Sequence, residues 1–301
     1  ITTSFDGAIN QLDKDLERHI KEYLAVRCGM QEIFSYPWME ESYVNAILQS
    51  TDGILALSTP PSPAERFIRA SLLPNLCRAV AKNERYYGDF AIFETAQVFR
   101  DENYTAPYDE REKLPSQRKN VAGAFVSAGK DVTGLFRRAK GVVEMMPRYT
   151  HMEPYSFRQV SKPVWADEVV WLNIYLGEEY IGDLALLSKR VSMACGIKNV
   201  NVMLFQLDQD ALIPLRSRTN SFRHLAEYPM TDYDISLLLD GQVKWADVAQ
   251  TIGGIKNPLL HGAAFVDEYR GKQVPEGKKS LTARLTIGSA EKTLTSAEIE
   301  E

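Results

Sequence analysis

The chain has 301 residues, of which 45% are hydrophobic and 25% are charged, and its formal net charge is −5. These values are typical of an ordinary soluble globular protein of about two domains, and they argue against a globally basic nucleic-acid-binding protein, so any contact with RNA requires a local patch. No apolar run reaches membrane-spanning length and no signal peptide is present, so we expect a cytoplasmic protein without a membrane partner.

The first two hundred residues alternate helical and extended patterns, which predicts a mixed α/β domain. The chain opens with Ile1 and not with Met, which favours a piece of a longer polypeptide. Helices are predicted at Leu12–Leu24, Glu41–Gln49, Leu72–Val80 and Leu135–Met146, and strands at Met30–Tyr36, Phe90–Phe99, Val121–Ser127, Val169–Leu176, Tyr180–Leu187 and Asn201–Leu207. We expect a first domain over residues 1–210, a linker over 211–222 and a second domain over 223–301.

The last eighty residues predict a second, smaller α+β domain. Its predicted elements are the strand Asp234–Leu239, the helix Trp245–Ile252, the hairpin strands Ala263–Tyr269 and Ser280–Ile287, and a capped helical turn from Thr293. Asp240-Gly241 and Gly253-Gly254 are turn and stop signals between them. The order β-α-β-β-α is that of a ferredoxin-like split βαβ unit without its last strand, so we expect a domain truncated at its C-terminus.

Motifs in both halves resemble one family. The segments YPMTDYDIS, YRGKQVPEGKKSL and TLTSAE resemble the ferredoxin-fold anticodon-binding domain that closes the β subunit of bacterial phenylalanyl-tRNA synthetase. The segments GMQEIFSYP, RASLLPNLCRAVAKN and FAIFETAQVFR resemble the catalytic-like domain of that subunit, in which a helix and a strand ending in Pro37 match the interface-building first motif of class II synthetases. Two departures are visible: Tyr233 stands where the family usually has Arg, and residues 162–190 lack its His-Pro-Gly-Arg turn.

The resemblance implies an α+β protein in which a class II synthetase-like antiparallel sheet with flanking helices precedes a ferredoxin-like βαββα(β) domain. It also implies an α2β2 holoenzyme that joins phenylalanine to its tRNA with ATP and Mg²⁺, and an active site in the α subunit. This segment would then be a non-catalytic structural partner of α and a binder of the anticodon region of tRNA(Phe), with no cofactor of its own.

Catalytic patterns in the chain itself are weak. Phe99-Arg100-Asp101-Glu102 matches the Phe-Arg-x-Glu of the second class II motif, which makes Arg100 a weak candidate for binding ATP. Asn120-Val-Ala-Gly stands where that site needs Gln and Glu, and nothing resembles the glycine-rich third motif. The four histidines lack metal-ligand spacing, and Asp208 and Asp210 are typical of a turn. The three cysteines, in no C-x-x-C pattern, are predicted to be small buried residues.

One functional surface is favoured, which we call the basic hairpin (residues 269–284). Its candidate RNA-binding residues combine cations with an aromatic ring, as recognition of unpaired bases requires. They are Tyr269, Arg270, Lys272, Lys278, Lys279 and Arg284, with Tyr233 as a weaker stacking candidate nearby. Composition alone favours a solvated hairpin, whereas the resemblance favours RNA binding.

Two alternatives stay open at this point. The chain could be a stand-alone RNA-binding or regulatory protein with borrowed synthetase folds. It could also be an active ligase with an unrecognised ATP site at Arg100.

Overall fold

A computed structural model describes residues 11–105, 113–215, 227–295 and 298 of the chain. The chain divides into two units, Ile1–Thr219 and Asn220–Glu301, and each unit has its own β-sheet. No helix among the described residues is long and apolar enough to cross a lipid bilayer.

The first unit is a mixed α+β structure. Its strands are β1 (Gln31–Glu32), β2 (Trp38–Met39), β3 (Phe67–Ile68), β4 (Asp89–Thr105), β5 (Lys113–Ser127), β6 (Tyr155–Arg158), β7 (Ala166–Leu176), β8 (Glu179–Leu187) and β9 (Asn201–Asp208). Its helices are α1 (Leu12–Glu22), α2 (Glu41–Ile47), α3 (Leu73–Asn83), α4 (Val132–Thr150), α5 (Lys189–Ala194) and α6 (Gln209–Leu212), with a π-helical turn at Tyr23–Arg27 and a 3-10 turn at Ile213–Leu215. Seven strands form one sheet in the order β1-β4-β5-β9-β8-β7-β6, in which all pairs except β1–β4 are antiparallel. The predicted antiparallel sheet with flanking helices is confirmed.

The middle strands of this sheet are buried on both faces. Because successive side chains alternate, β5 directs Val121 and Phe125 into one apolar cluster and Ala122 and Ala124 into another. The first cluster packs α1 and α4 against the sheet, and the second packs α3 and α5 against its other face. The sheet therefore lies between two layers of helices.

The strand predicted at Met30–Tyr36 is wrong in its length. Of this segment, only Gln31 and Glu32 (β1) pair with β4, and the last sheet-like bond is from the Ile33 amide to the Phe93 carbonyl at 2.8 Å. The next inward amide, that of Ser35, donates to the carboxylate of Glu94 at 3.0 Å instead of to a backbone carbonyl. The chain leaves the sheet at this point because a side chain replaces the ladder partner.

Other boundaries also differ from the predictions. The strands β4 and β5 extend further than predicted, and the residues between them, 106–112, lie outside the described ones. The strand β6 and the helices α5 and α6 were not predicted, since each is shorter than the window that reveals a period. Leu212 on α6 is fully buried in the first cluster, so the start of the predicted linker belongs to the first unit.

Two of the cysteines meet inside the second apolar cluster. Cys77 on α3 and Cys195 after α5 are both buried and are hydrogen-bonded to each other, although 118 positions separate them. That hydrogen bond and burial raise the pKa of Cys77. Cys28 is half-buried, so the prediction of buried cysteines is confirmed for the pair and wrong for Cys28.

The second unit has the predicted ferredoxin-like arrangement. Its elements are β10 (Thr231–Asp240), α7 (Trp245–Gly253), β11 (Leu260–Tyr269) and β12 (Lys278–Ile287), and its sheet has the order β10-β12-β11. Both outer strands are antiparallel to β12 and hence parallel to each other, joined by α7. Thr295 donates its amide to the Glu298 carboxylate at 2.9 Å, as expected for the predicted helix cap, and the residues around Glu298 lie outside the described ones.

A buried ion pair fixes the segment that leaves the sheet. The guanidinium of Arg69 lies 3.2 Å from the carboxylate of Glu94, and their side chains are only 10% and 2% exposed. Ser35 donates its hydroxyl to the same carboxylate at 2.8 Å, and Asn75 donates to the Ser35 hydroxyl at 3.0 Å. Each buried polar group of this network thus has a partner, as burial requires.

We expect Arg69→Met to lower the free energy of unfolding by about 3–5 kcal/mol, because it leaves the Glu94 carboxylate buried without its cation. Arg66→Met is the matched control: Arg66 and Glu41 are also 3.2 Å apart, but their side chains are 49% and 39% exposed. This second loss should be about 0–1 kcal/mol. Urea unfolding followed by circular dichroism measures both, and equal small losses would contradict the role of the buried pair.

Candidate nucleic-acid interface

The sheet of the second unit has one face under α7 and one face that no described element covers. Alternation along the strands decides which side chains lie where. Leu237 and Leu281 are cross-strand partners that pack with Val248 and Ile252 of α7. The next pair, Ser236 and Thr282, lies on the other side, with hydroxyl oxygens 3.3 Å apart. We call this second side the open face. Its residues are Asp232, Asp234, Ser236, Leu238 and Asp240 on β10, Lys278, Ser280, Thr282, Arg284 and Thr286 on β12, and Ala264, Asp267 and Tyr269 on β11.

The candidate residues of the basic hairpin do not share one surface. Tyr269, Lys278 and Arg284 lie on the open face. Lys279 lies on the α7 side, where it is 5% exposed and its ammonium contacts Glu268 at 2.7 Å. Tyr233 also lies on the α7 side, because it pairs with Leu285 of the small apolar core. The alternation of Lys278 and Lys279 in a strand could have predicted this division.

Most cations of the hairpin are engaged by an acid. Arg270 contacts Glu268 at 2.8 Å and donates to the Gly241 carbonyl at 2.9 Å. Lys278 contacts Asp240 at 3.0 Å. Lys272 is exposed and has no ion-pair partner among the described residues. The local surface is therefore close to neutral, in keeping with the acidic composition of the whole chain.

The strongest of these pairs joins Arg284 to Asp234. Two parallel hydrogen bonds, 2.7 and 2.8 Å long, connect the guanidinium to the two carboxylate oxygens. The guanidinium holds the pKa of Asp234 below its usual range, and the carboxylate raises that of Arg284. Both groups therefore remain charged near neutral pH.

Two glycines shape the hairpin. Gly277 has φ +80°, a conformation that favours glycine, and its carbonyl accepts a hydrogen bond from Gly241 at 2.8 Å. A side chain at Gly271 would meet the hydroxyl end of Tyr269, so this glycine leaves room for the ring. Tyr269 remains 48% exposed.

The first unit exposes aromatic rings at the edge of its large sheet. Phe34 is 80% and Tyr36 71% exposed, and the rings of Tyr36 and Trp38 stack with centroids 4.5 Å apart. These residues line one wall of a groove of about 630 Å³, which we call the aromatic groove, and α3 lines the other wall with Arg78 and Lys82. The network of Ser35, Glu94, Arg69 and Asn75 lies directly behind the aromatic wall and fixes its backbone.

The remaining candidates belong to the first unit and do not line its aromatic groove. Arg100 is exposed on β4, next to an irregularity in its pairing with β5. No group of three or more His, Cys, Asp or Glu side chains within the described ranges could hold a metal ion. Asp208 caps α6 through the Ala211 amide at 3.2 Å, and Asp210 accepts from the Lys119 amide at 2.7 Å. The predicted role as a turn-forming residue is confirmed for Asp208, whereas Asp210 lies within α6 and joins this helix to β5.

Comparison with known families agrees with both units. Residues 3–209 match the phenylalanyl tRNA synthetase beta chain CLM domain, and residues 226–301 match the ferredoxin-fold anticodon binding domain. The chain belongs to the phenylalanyl-tRNA synthetase β-subunit family. This confirms the resemblance drawn from the motifs.

Individual relatives support this family assignment. The phenylalanine–tRNA ligase beta subunit of Oceanobacillus iheyensis is 27% identical over 306 residues, which cover 95% of this chain and 36% of the relative. That of Carboxydothermus hydrogenoformans is 27% identical over 99% of this chain and 37% of the relative. The chain thus spans little more than a third of the length of these β subunits.

A solved structure shares a fold with most of this chain. A pyrrolysyl tRNA synthetase from Desulfitobacterium hafniense superposes with a TM-score of 0.53 at 14% identity, covering 71% of this chain and 73% of that one. At this identity the likeness concerns the fold alone. It agrees with a class II synthetase-like sheet.

Proposed function

We propose that this chain is the segment of a phenylalanyl-tRNA synthetase β subunit that supports the catalytic α subunit and binds the anticodon region of tRNA(Phe). The observation that carries the proposal is the presence of both family domains, in this order, over residues 3–209 and 226–301. In this proposal the α2β2 holoenzyme works in the cytoplasm, and its ATP and Mg²⁺ are bound by α.

The aromatic groove is the surface that we assign to the α subunit. Exposed aromatic rings on a rigid backbone are typical of protein interfaces, because they bury a large area at a small cost in conformational entropy. Phe34 and Tyr36 belong to the segment that resembles the interface-building first motif of class II synthetases. The buried Glu94 network supports the assignment, since it holds the backbone that carries these rings without a partner.

We expect this chain and the α subunit of the same organism to form a stable heteromer in light scattering after gel filtration. Phe34→Ser should weaken it at least tenfold, as the loss of an interface hot spot does. Val169→Ser is the matched control, because Val169 is 75% exposed on β7 and does not line the groove. Two separate peaks for the unaltered chain would contradict this role and favour the stand-alone RNA-binding alternative.

The open face is the surface that we assign to the anticodon. Tyr269 offers an exposed ring for stacking, and the hydroxyls of Ser236, Ser280 and Thr282 can exchange hydrogen bonds with base edges. Lys272 at the hairpin tip is available for a phosphate. Because the surface is close to neutral, stacking and hydrogen bonds have to supply most of the affinity.

We expect Tyr269→Ala to weaken binding of tRNA(Phe) to this chain about tenfold or more, the range for loss of one stacked base. Fluorescence anisotropy with labelled tRNA measures the change. Tyr233→Ala is the control, because that ring lies on the α7 side of the same sheet, and it should leave the affinity within about twofold. Equal losses for both variants would contradict recognition by the open face.

The first unit is not proposed to activate phenylalanine. Adenylate formation needs several cationic and acidic groups around ATP. Arg100 is exposed, and the segment that would bring Gln and Glu to the site reads Asn120-Val-Ala-Gly, with Asn120 buried.

We therefore expect no ATP–pyrophosphate exchange by the isolated chain, and an unchanged exchange rate for an α-containing holoenzyme with Arg100→Ala. Exchange by the pure chain that Arg100→Ala abolishes would instead establish the active-ligase alternative.

A further inference from the structure

We propose that Asp234 is a positioning residue: it holds the Arg284 guanidinium as a flat platform on which one unpaired base of the anticodon loop stacks. This inference rests on the proposed function of the second unit. It adds one residue, Asp234, that was not among the candidates from the sequence, and it gives Arg284 a role other than neutralising phosphates.

The geometry of the pair restrains the plane of the guanidinium. Nε and Nη2, on the same edge of the Arg284 guanidinium, donate to the two oxygens of the Asp234 carboxylate at 2.7 and 2.8 Å. Rotation of the guanidinium would therefore break both hydrogen bonds. Asp234 and Arg284 are also direct cross-strand partners on β10 and β12, which fixes the distance between their backbones. The pair remains partly exposed, at 41% and 45% of the two side chains.

The surroundings leave the face of the guanidinium accessible. On its other side, Arg284 pairs with Ala264 of β11, whose methyl group cannot cover it. The nearest open-face neighbours along the sheet are Thr282, Ser236 and Thr286, all with short side chains. A planar base can therefore stack on the Arg284 guanidinium, because the side chains around it are small.

The charges of the same site disfavour a phosphate. Asp234 already neutralises Arg284, and Asp232 adds a second carboxylate that accepts a hydrogen bond from Thr286 at 2.9 Å. A phosphate at Arg284 would lie beside both acids, whereas a neutral base meets no such repulsion. Stacking of bases on guanidinium planes is an established mode of single-stranded RNA recognition.

A second ion pair on the open face provides the contrast. Lys278 meets Asp240 through a single contact of 3.0 Å, and the two side chains are 43% and 75% exposed. An ammonium has no plane and can leave such a partner for a phosphate. Asp240→Asn is therefore the matched control for Asp234→Asn, since both remove one carboxylate from a cross-strand pair.

The test measures binding of the whole chain to a labelled anticodon stem-loop of tRNA(Phe), and to versions in which each loop nucleotide in turn lacks its base. With the unaltered chain, we expect one abasic position to cost about tenfold in affinity through lost stacking. In Asp234→Asn and in Arg284→Lys, removal of the base at that position should lower the affinity by less than about twofold. In Asp240→Asn the loss should stay near tenfold.

The outcomes separate this inference from the proposed function. If each abasic stem-loop loses the same affinity with Asp234→Asn as with the unaltered chain, the proposal that Asp234 positions Arg284 for stacking is wrong. It is also wrong if Asp234→Asn strengthens binding of all the RNAs equally with a steeper salt dependence, which would indicate a phosphate contact. If the unaltered chain does not prefer this stem-loop over an unrelated one, the proposed function itself fails. Arg284→Lys decides the question should Asp234→Asn not fold, as judged by hydrogen exchange in β10 and β12.

Discussion

Burial of the large sheet on both faces is the constraint on which the first unit depends. Strands such as β5 place bulky residues in one cluster and alanines in the other, so helices have to cover both sides. A sheet enclosed in this way offers little of its surface to a ligand. Its interactions are therefore expected at the margins, and the aromatic groove lies at one, where β1 ends beside β4.

The groove in turn depends on a polar network placed at that margin. Glu94 is nearly inaccessible, yet it accepts from both the amide and the hydroxyl of Ser35 and pairs with Arg69. A carboxylate so deep in the protein is tolerated only because it is fully partnered. By taking the Ser35 amide away from the sheet ladder, it redirects the chain and exposes Phe34 and Tyr36. A buried interaction thus determines the shape of a surface.

The second unit uses the opposite arrangement: among its described residues, one helix, α7, covers one face of a small sheet. Its open face carries acidic and basic side chains in cross-strand pairs, of which Asp234–Arg284 and Asp240–Lys278 are the clearest. The result is a surface with polar and aromatic groups in fixed positions and little net charge. In the proposed anticodon-binding role, such a surface favours recognition of the shape and edges of bases over general attraction to RNA, which agrees with a chain whose net charge is −5.

Most of the architecture could be predicted because long periodic segments reveal it. The helices α1 and α4 and the strands β8 and β9 follow from apolar spacing alone, and the order of elements in the second unit predicted its ferredoxin-like topology. Short elements such as β6 and α5 were missed because few residues carry their signal. The predicted strand after Met30 was too long because propensity cannot detect that a carboxylate 59 positions away replaces a ladder bond.

The sequence by itself determined the family, the order of the two domains, and which residue types gather at the hairpin. It also contained the alternation that puts Lys278 and Lys279 on opposite sides. Only the tertiary structure decided the partners: Arg284 with Asp234, 50 positions away, and the nearly buried Lys279 with the partly exposed Glu268. The physical reason is that the period of a strand tells which face a side chain occupies, whereas the register between strands, set by packing of the whole sheet, decides which charge it meets.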